Sequence, residues 1–160
     1  MANEKKRILI IDDEEPICFA LSTILKEKGH EVDACETGGA GLQKLMEKSY
    51  NLILLDYNLP DMDGLRVAER ARELDKDVSI VFISAYGTTD VIVRAVRLGA
   101  FDFIRKPIHS EELLSSLDRW ASSRKEAVEN TLEKVKKALP ADDHEVLEKV
   151  KKALLADLDQ

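Results

Sequence analysis

The sequence predicts a doubly wound α/β fold, a five-stranded parallel sheet covered by helices on both faces. Three observations point there. Short apolar runs at Ile8, Leu9, Ile10 and Ile11, at Leu52, Ile53, Leu54 and Leu55, and at Ile80, Val81, Phe82 and Ile83 are continuous and bounded by polar residues. Strands covered on both faces read this way, whereas half-exposed strands alternate. Helical spacing of apolar residues separates the runs, and strand and helix alternate five times along the chain. Such alternation implies right-handed βαβ crossovers.

In chain order, the first run leads into a helix carrying Ile17, Leu21, Ile24 and Leu25, with Gly29 as its stop signal. Val32, Asp33, Ala34 and Cys35 form a weaker strand candidate, and Leu42, Leu45 and Met46 a second helix. After the run at 52–55, Val67, Arg70, Ala71 and Leu74 keep helical spacing. After the run at 80–83, apolar residues recur from Val91 to Leu98 and end at Gly99. Phe101, Asp102, Phe103 and Ile104 are the last, weak strand candidate.

From Ser110 onward the character changes. Ser110, Glu111 and Glu112 start a helix, and no Gly or Pro interrupts the chain before Pro140. A helix of roughly 29 residues is about 43 Å long, far beyond the body of so small a domain. Asp142 or Asp143 then caps a second helix to about Leu158. The octet from Leu132 to Leu139 recurs unchanged from Leu147 to Leu154. Two copies do not make a solenoid. The expected organisation is therefore a domain over 1–120 and a helical extension over 121–160, with a long helix from about 110 to 139 and a second over about 142–158.

Composition narrows the class. The 160 residues are 44% hydrophobic and 34% charged, as in a globular protein with a well-solvated surface. No apolar run approaches the ~20 residues that span a bilayer, and residues 1–7 lack the apolar centre of a secretory signal. The expectation is a cytoplasmic protein without membrane contact. Cys18 and Cys35 have neither metal-ligand nor redox spacing and read as reduced packing residues. The net charge of -7 is spread as -6 over residues 1–117 and -1 over 118–160, so neither part has the basic excess of a nucleic-acid-binding module.

The chemistry lies where the strands end. In an open α/β sheet, ligands bind beyond the carboxyl ends of the strands. Asp12 and Asp13 follow the first run, Asp56 the third, Ser84 the fourth, and Lys106-Pro107 the fifth. Three carboxylates there repel one another unless a cation joins them. Asp12, Asp13 and Asp56 supply hard oxygen ligands of the kind Mg²⁺ prefers. One carboxylate then remains to act as a nucleophile toward a phosphoryl group. Asp56 is the best placed, at the end of the most apolar strand. Lys106 supplies a compact positive charge for phosphoryl oxygens, and the Ser84 hydroxyl a further donor. Pro107 fixes the turn after Lys106 through a cis bond. Taken singly, an Asp pair is a helix cap, a Lys-Pro a loop, and Ser84 carries no signal. Their conjunction at four strand ends is what argues for a site.

With these residues the chain resembles the receiver domain of two-component response regulators over roughly its first three quarters. The segments Leu59-Pro-Asp-Met-Asp-Gly64 and Gly99-Ala-Phe-Asp-Phe-Ile-Arg-Lys-Pro107 also look like receiver loops. The resemblance implies a flavodoxin-like, chemotaxis-regulator-like sheet of strand order 2-1-3-4-5. It implies Mg²⁺ held by Asp13, Asp56 and the backbone carbonyl of Asn58, with Asp12 acting through water. It also implies phosphorylation of Asp56 by a sensor histidine kinase or phosphotransfer protein. Ser84 and the strand-five aromatic, here Phe103 rather than the frequent Tyr, match the switch pair. Asn58 and Tyr86 match positions that tune dephosphorylation.

Output is then expected from the domain surface or from the extension. Val128, Leu132, Val135 and Leu139 are spaced as in a coiled-coil seam, and Leu147, Val150, Leu154 and Leu158 form a second stripe. A lone amphipathic hairpin buries too little to be stable. The two helices are expected to meet a second copy in a four-helix dimer, the alternatives being folding back or binding another partner. The Lys-rich repeats, interleaved with Glu133 and Glu148, read as a solvated face rather than a nucleic-acid contact. His144, at a helix start beside Glu145, reads as incidental. An aspartate-based phosphatase is the enzymatic alternative, but its second carboxylate, two residues past the nucleophile, is replaced by Asn58. A DNA-binding transcriptional regulator truncated of its effector domain is the third, disfavoured by the composition of the extension.

Overall fold

Five strands form one sheet in the order β2-β1-β3-β4-β5. They are β1 (Arg7–Ile11), β2 (Glu31–Cys35), β3 (Leu52–Asp56), β4 (Ser79–Ser84) and β5 (Asp102–Arg105). This computed structural model describes residues 5–85, 87–120, 132–139 and 144–158, with side chains to 153. The burial of each strand follows its place. Central β3 is buried throughout and β1 is buried after Arg7, whereas edge strand β2 has no buried position. The broken apolar patterns of β2 and β5 are those of edge strands, which lack a neighbour on one side.

Helices α1 (Glu15–Glu27), α2 (Gly38–Glu47), α3 (Gly64–Leu74), α4 (Thr89–Arg97) and α5 (Ser110–Trp120) connect and follow the strands. Local chemistry sets their ends. Thr37, Asp63 and Thr88 cap α2, α3 and α4 by accepting the N–H groups of Ala40, Leu65 and Val91. Gly29 and Gly99 follow α1 and α4 with φ of 90° and 78°, the left-handed conformation that ends a helix. The helical spacing that included Met46 and Leu74 marked α2 and α3 correctly, yet both side chains are exposed. Each lies at the C-terminal end of its helix, where helical spacing no longer guarantees a neighbour to pack against.

By contacts the chain divides into two units, Met1–Ile83 and Ser84–Gln160. In the first, β1 pairs in parallel with β2 and β3, and β3 with β4, which aligns Ile11 with Leu55 and Asp56 with Ile83. In the second, residues 132–138 form a helical segment, α6, and His144–Leu158 form α7. Residues 121–131, through which the helix from about 110 to 139 would run, lie outside the described residues, as do Asp142, Asp143 and Val128.

The described part of the extension packs within its own chain. Val135, Leu139 and Val150 share a buried cluster with Ile92 and Val96 of α4, and Phe103 and Leu147 pack against it. The described members of the two stripes, Leu132, Val135, Leu139, Leu147 and Val150, pack in the cluster with α4. The solvated-face reading holds for Lys136, Lys149 and Lys151, which are exposed, but not for Lys134, which is half-buried in an ion pair.

Candidate functional site

The parallel pairing of β1 with β3 sets their C-terminal ends side by side and brings three acids together. Asp12, Asp13 and Asp56 each offer a carboxylate oxygen, and these atoms lie within 4.8 Å of one another. Asp12 and Asp56 are buried, while Asp13 faces solvent. Buried carboxylates this close need a positive partner, and all-oxygen donors suit a small hard cation. The donor set fits Mg²⁺.

The backbone around the acids is held from several sides. Asp12 donates its N–H to the carbonyl of Cys35 at 3.0 Å, and its own carbonyl accepts the Cys18 thiol at 3.2 Å. Asp12 Oδ1 accepts the N–H of Glu14 at 2.8 Å. Both cysteines are free, as expected; the Cys18 thiol and the Cys35 carbonyl hold the backbone of the first acid. At the other strand end, Asp56 Oδ1 accepts the N–H of Asn58 at 3.1 Å, and Tyr57 donates its N–H to the Ile83 carbonyl at 2.9 Å. Asn58 is exposed and bridges to Asp63.

Gly64 explains how α3 starts so near the acid. A Cβ there would stand 2.5 Å from the Asp56 carbonyl oxygen and 2.7 Å from Tyr57 Cα, so only glycine allows this approach.

One contributor escaped sequence reading. Asp61, in the loop after Asp56, accepts the N–H of Gly38 at 2.9 Å and of Gly39 at 2.8 Å. It thereby ties that loop to the start of α2. The Gly39 bond, then the Gly38 bond, hold its carboxyl below its ordinary value of 3.8. The loop motif contained Asp61, but only the packing of α2 beside α3 reveals its partner.

The remaining predicted residues belong to the second unit. Ser84 is buried at the end of β4, and its carbonyl accepts the N–H of Lys106 at 2.9 Å. The Lys106-Pro107 bond is cis. Phe103 is half-buried on β5 against the cluster of α4 and the extension. Tyr86 lies outside the described residues.

A second charged group in this unit was also unforeseen. The buried carboxylate of Asp102 pairs with Arg119 of α5 and with Lys134 of α6, the latter at 3.2 Å. Lys134 also reaches Glu112 at 3.1 Å. Sequence reading placed Asp102 in a weak strand, and nothing local marks it as a buried anion.

Comparison with known proteins agrees with this geometry. The response regulator receiver domain family matches residues 8–118. The transcriptional regulatory protein DltR of Streptococcus agalactiae is 38% identical over 111 residues, which are 69% of this chain and 50% of that protein. The chain thus spans about half the length of the curated relatives it matches. Among solved structures, a CheY-like receiver domain protein from Methanospirillum hungatei superposes with a TM-score of 0.69 at 34% identity, covering 72% of this chain and 92% of that one. The response regulator TrrA of Thermotoga maritima, solved with Mg²⁺ and a beryllium fluoride, gives 0.64 at 32% identity, covering 71% and 97%. No helix among the described residues is long and apolar enough to cross a membrane. On its strand order, its clustered acids and this match, the chain belongs to the response regulator receiver family, whose members are signalling domains rather than metabolic enzymes.

Proposed function

We propose that this chain is a phosphoacceptor module of a two-component pathway, modified on Asp56 by a sensor histidine kinase or a phosphotransfer protein. The observation that carries the reading is the meeting of three carboxylates within 4.8 Å, with Asp56 buried at the end of the fully buried strand β3. A carboxylate oxygen of Asp56 attacks phosphorus, the O–P bond forms, and the P–N bond to the donor imidazole breaks. The imidazole leaves with the electron pair and takes up a proton. Asp13, Asp56 and the carbonyl of Asn58 would hold Mg²⁺, with Asp12 acting through water. When bound, the metal supplies positive charge that offsets the charge gathering on the phosphoryl oxygens.

Ser84 and Lys106 are the residues assigned to the phosphoryl oxygens, Phe103 to the switch with Ser84, and Asn58 and Tyr86 to the lifetime of the acyl phosphate. Asn58, without a carboxylate, supports a long-lived phosphoryl group over the turnover of a phosphatase. Likeness to TrrA, solved with Mg²⁺ and a beryllium fluoride, supports the metal assignment. For output, burial of Val135 and Val150 on Ile92 and Val96 supports signalling through the packed extension over a preformed four-helix dimer. The test is intact-mass measurement after incubation with Mg²⁺ and a small acyl phosphate donor. One added HPO₃, lost in Asp56→Asn, is expected; equal modification of that variant overturns the assignment. Light-scattering mass with and without beryllofluoride checks output: a dimer in both states would restore the four-helix reading.

A further inference from the structure

The second unit contains a hollow that the phosphoacceptor chemistry does not use. It measures about 340 Å³, near the lower end of small-molecule sites of about 300–1,000 Å³. Its walls are Ile92, Ala95 and Val96 of α4, Phe103 of β5, and Val135 and Ala138 of α6. Interiors normally close such gaps. Here alanines at 95 and 138 stand where longer side chains would fill the space.

Charge at the lining is lopsided once pairs are removed. Asp102 is neutralised by Arg119 and Lys134, and Glu112 by Lys134. Arg105 and Lys137 also line the hollow, both are exposed, and neither has a carboxylate partner among the described residues. An apolar chamber with two unspent cations matches one ligand chemistry. A cation meets repulsion there, a peptide helix is too large, and a neutral hydrocarbon gains nothing from the two cations at the rim.

We propose that this hollow binds a small aromatic carboxylate, its ring against Phe103, Val96 and Val135 and its anionic group toward Arg105 and Lys137. Bound there, the ligand would bridge α6 to α4 and β5, so it would hold the extension in its packed position. The proposal does not rest on the Asp56 chemistry, because the hollow is lined by none of Asp12, Asp13, Asp56, Ser84 and Lys106; Phe103 alone is shared with the assigned switch.

The probes are 1-naphthoate and its uncharged analogue 1-naphthamide, titrated calorimetrically into the full chain, with methyl NMR shifts locating them. The acid should saturate at one site per chain, shift the Ile92, Val96 and Val135 methyls, and bind about tenfold more tightly than the amide. The double variant Arg105→Gln with Lys137→Gln should erase that preference while leaving the melting temperature in place. Ala138→Leu should abolish binding of both probes. Absence of saturable binding, equal affinity of acid and amide for the wild type, or methyl shifts confined to other residues overturns the site. Should Ala138→Leu unfold the chain, the double variant alone still decides the matter.

Discussion

The Lys134 ammonium lies 3.2 Å from the buried carboxylate of Asp102, joining the C-terminal extension to β5 one residue before Phe103. Asp102 is enclosed almost completely, whereas Arg119 and Lys134 keep partial contact with water. The two substitutions should therefore differ. Asp102→Ala leaves Arg119 without its anion and Lys134 with Glu112 alone, and should lower stability by about 2–3 kcal/mol, below the cost for a fully buried pair. Lys134→Met leaves Asp102 with Arg119 and the Phe103 N–H, and should cost roughly 1 kcal/mol or less. Urea unfolding of both variants checks the order; equal losses would show Lys134 to be as necessary as the carboxylate.

Gly64→Ala forces a methyl group against the backbone of Asp56 and Tyr57. Backbone cannot yield as a flexible side chain does, so the expected loss is about 1–3 kcal/mol. Because the strain falls on the end of β3, Mg²⁺ affinity measured by calorimetry should drop with it. A stable variant with unchanged Mg²⁺ binding would show that the α3 start shifts without disturbing the acids.

Removal of the metal should stop modification of Asp56, read as loss of the added HPO₃ when EDTA replaces Mg²⁺. Among the acids, Asp13→Asn should weaken Mg²⁺ binding more than Asp12→Asn, since Asp13 is assigned direct contact and Asp12 contact through water. The reverse ranking in calorimetric titrations would exchange their roles.

Asp61 gives a pH signature. Its folded-state pKa is depressed, so its contribution to stability is complete above the ordinary value of 3.8 and is lost as pH falls through the lower folded value. Asp61→Asn should be less stable than wild type at neutral pH, and the gap should close below pH 3.8. A gap that stays constant down to acid unfolding would assign the loop's anchoring to something other than the carboxylate charge.

The thiols should be quiet. Burial, then the neighbouring Cys18, push Cys35 up to about 11, which leaves on the order of one thiolate in a thousand at pH 8. Reaction with Ellman's reagent should be slow in the folded protein and fast in urea. Rapid labelling of both thiols in native buffer would mean that the interior around Asp12 opens readily.

How much was legible depends on whether the signal was local. Ile8 to Ile11 and Leu52 to Leu55 read as interior strands because burial on both faces removes every polar position. Asp12, Asp56, Ser84 and Lys106 read as site residues because strand ends are where such a sheet releases its chain. Met46 and Leu74 helped to mark their helices yet are exposed, because helical spacing names a face without saying what covers it. Asp61 and Asp102 were passed over because their partners, Gly38 and Lys134, lie 23 and 32 residues away.

The sequence alone determined the five-stranded parallel sheet, the order of its acidic strand ends and the choice of Asp56 as phosphoacceptor candidate, since each follows from residue type and short-range pattern. Tertiary structure decided where the extension goes. The apolar stripes that carry Val135 and Leu139 on one helix and Val150 on the next have the same periodicity whether they face a second copy or Ile92 and Val96 of their own chain. Periodicity encodes a buried face; only packing in three dimensions selects what buries it.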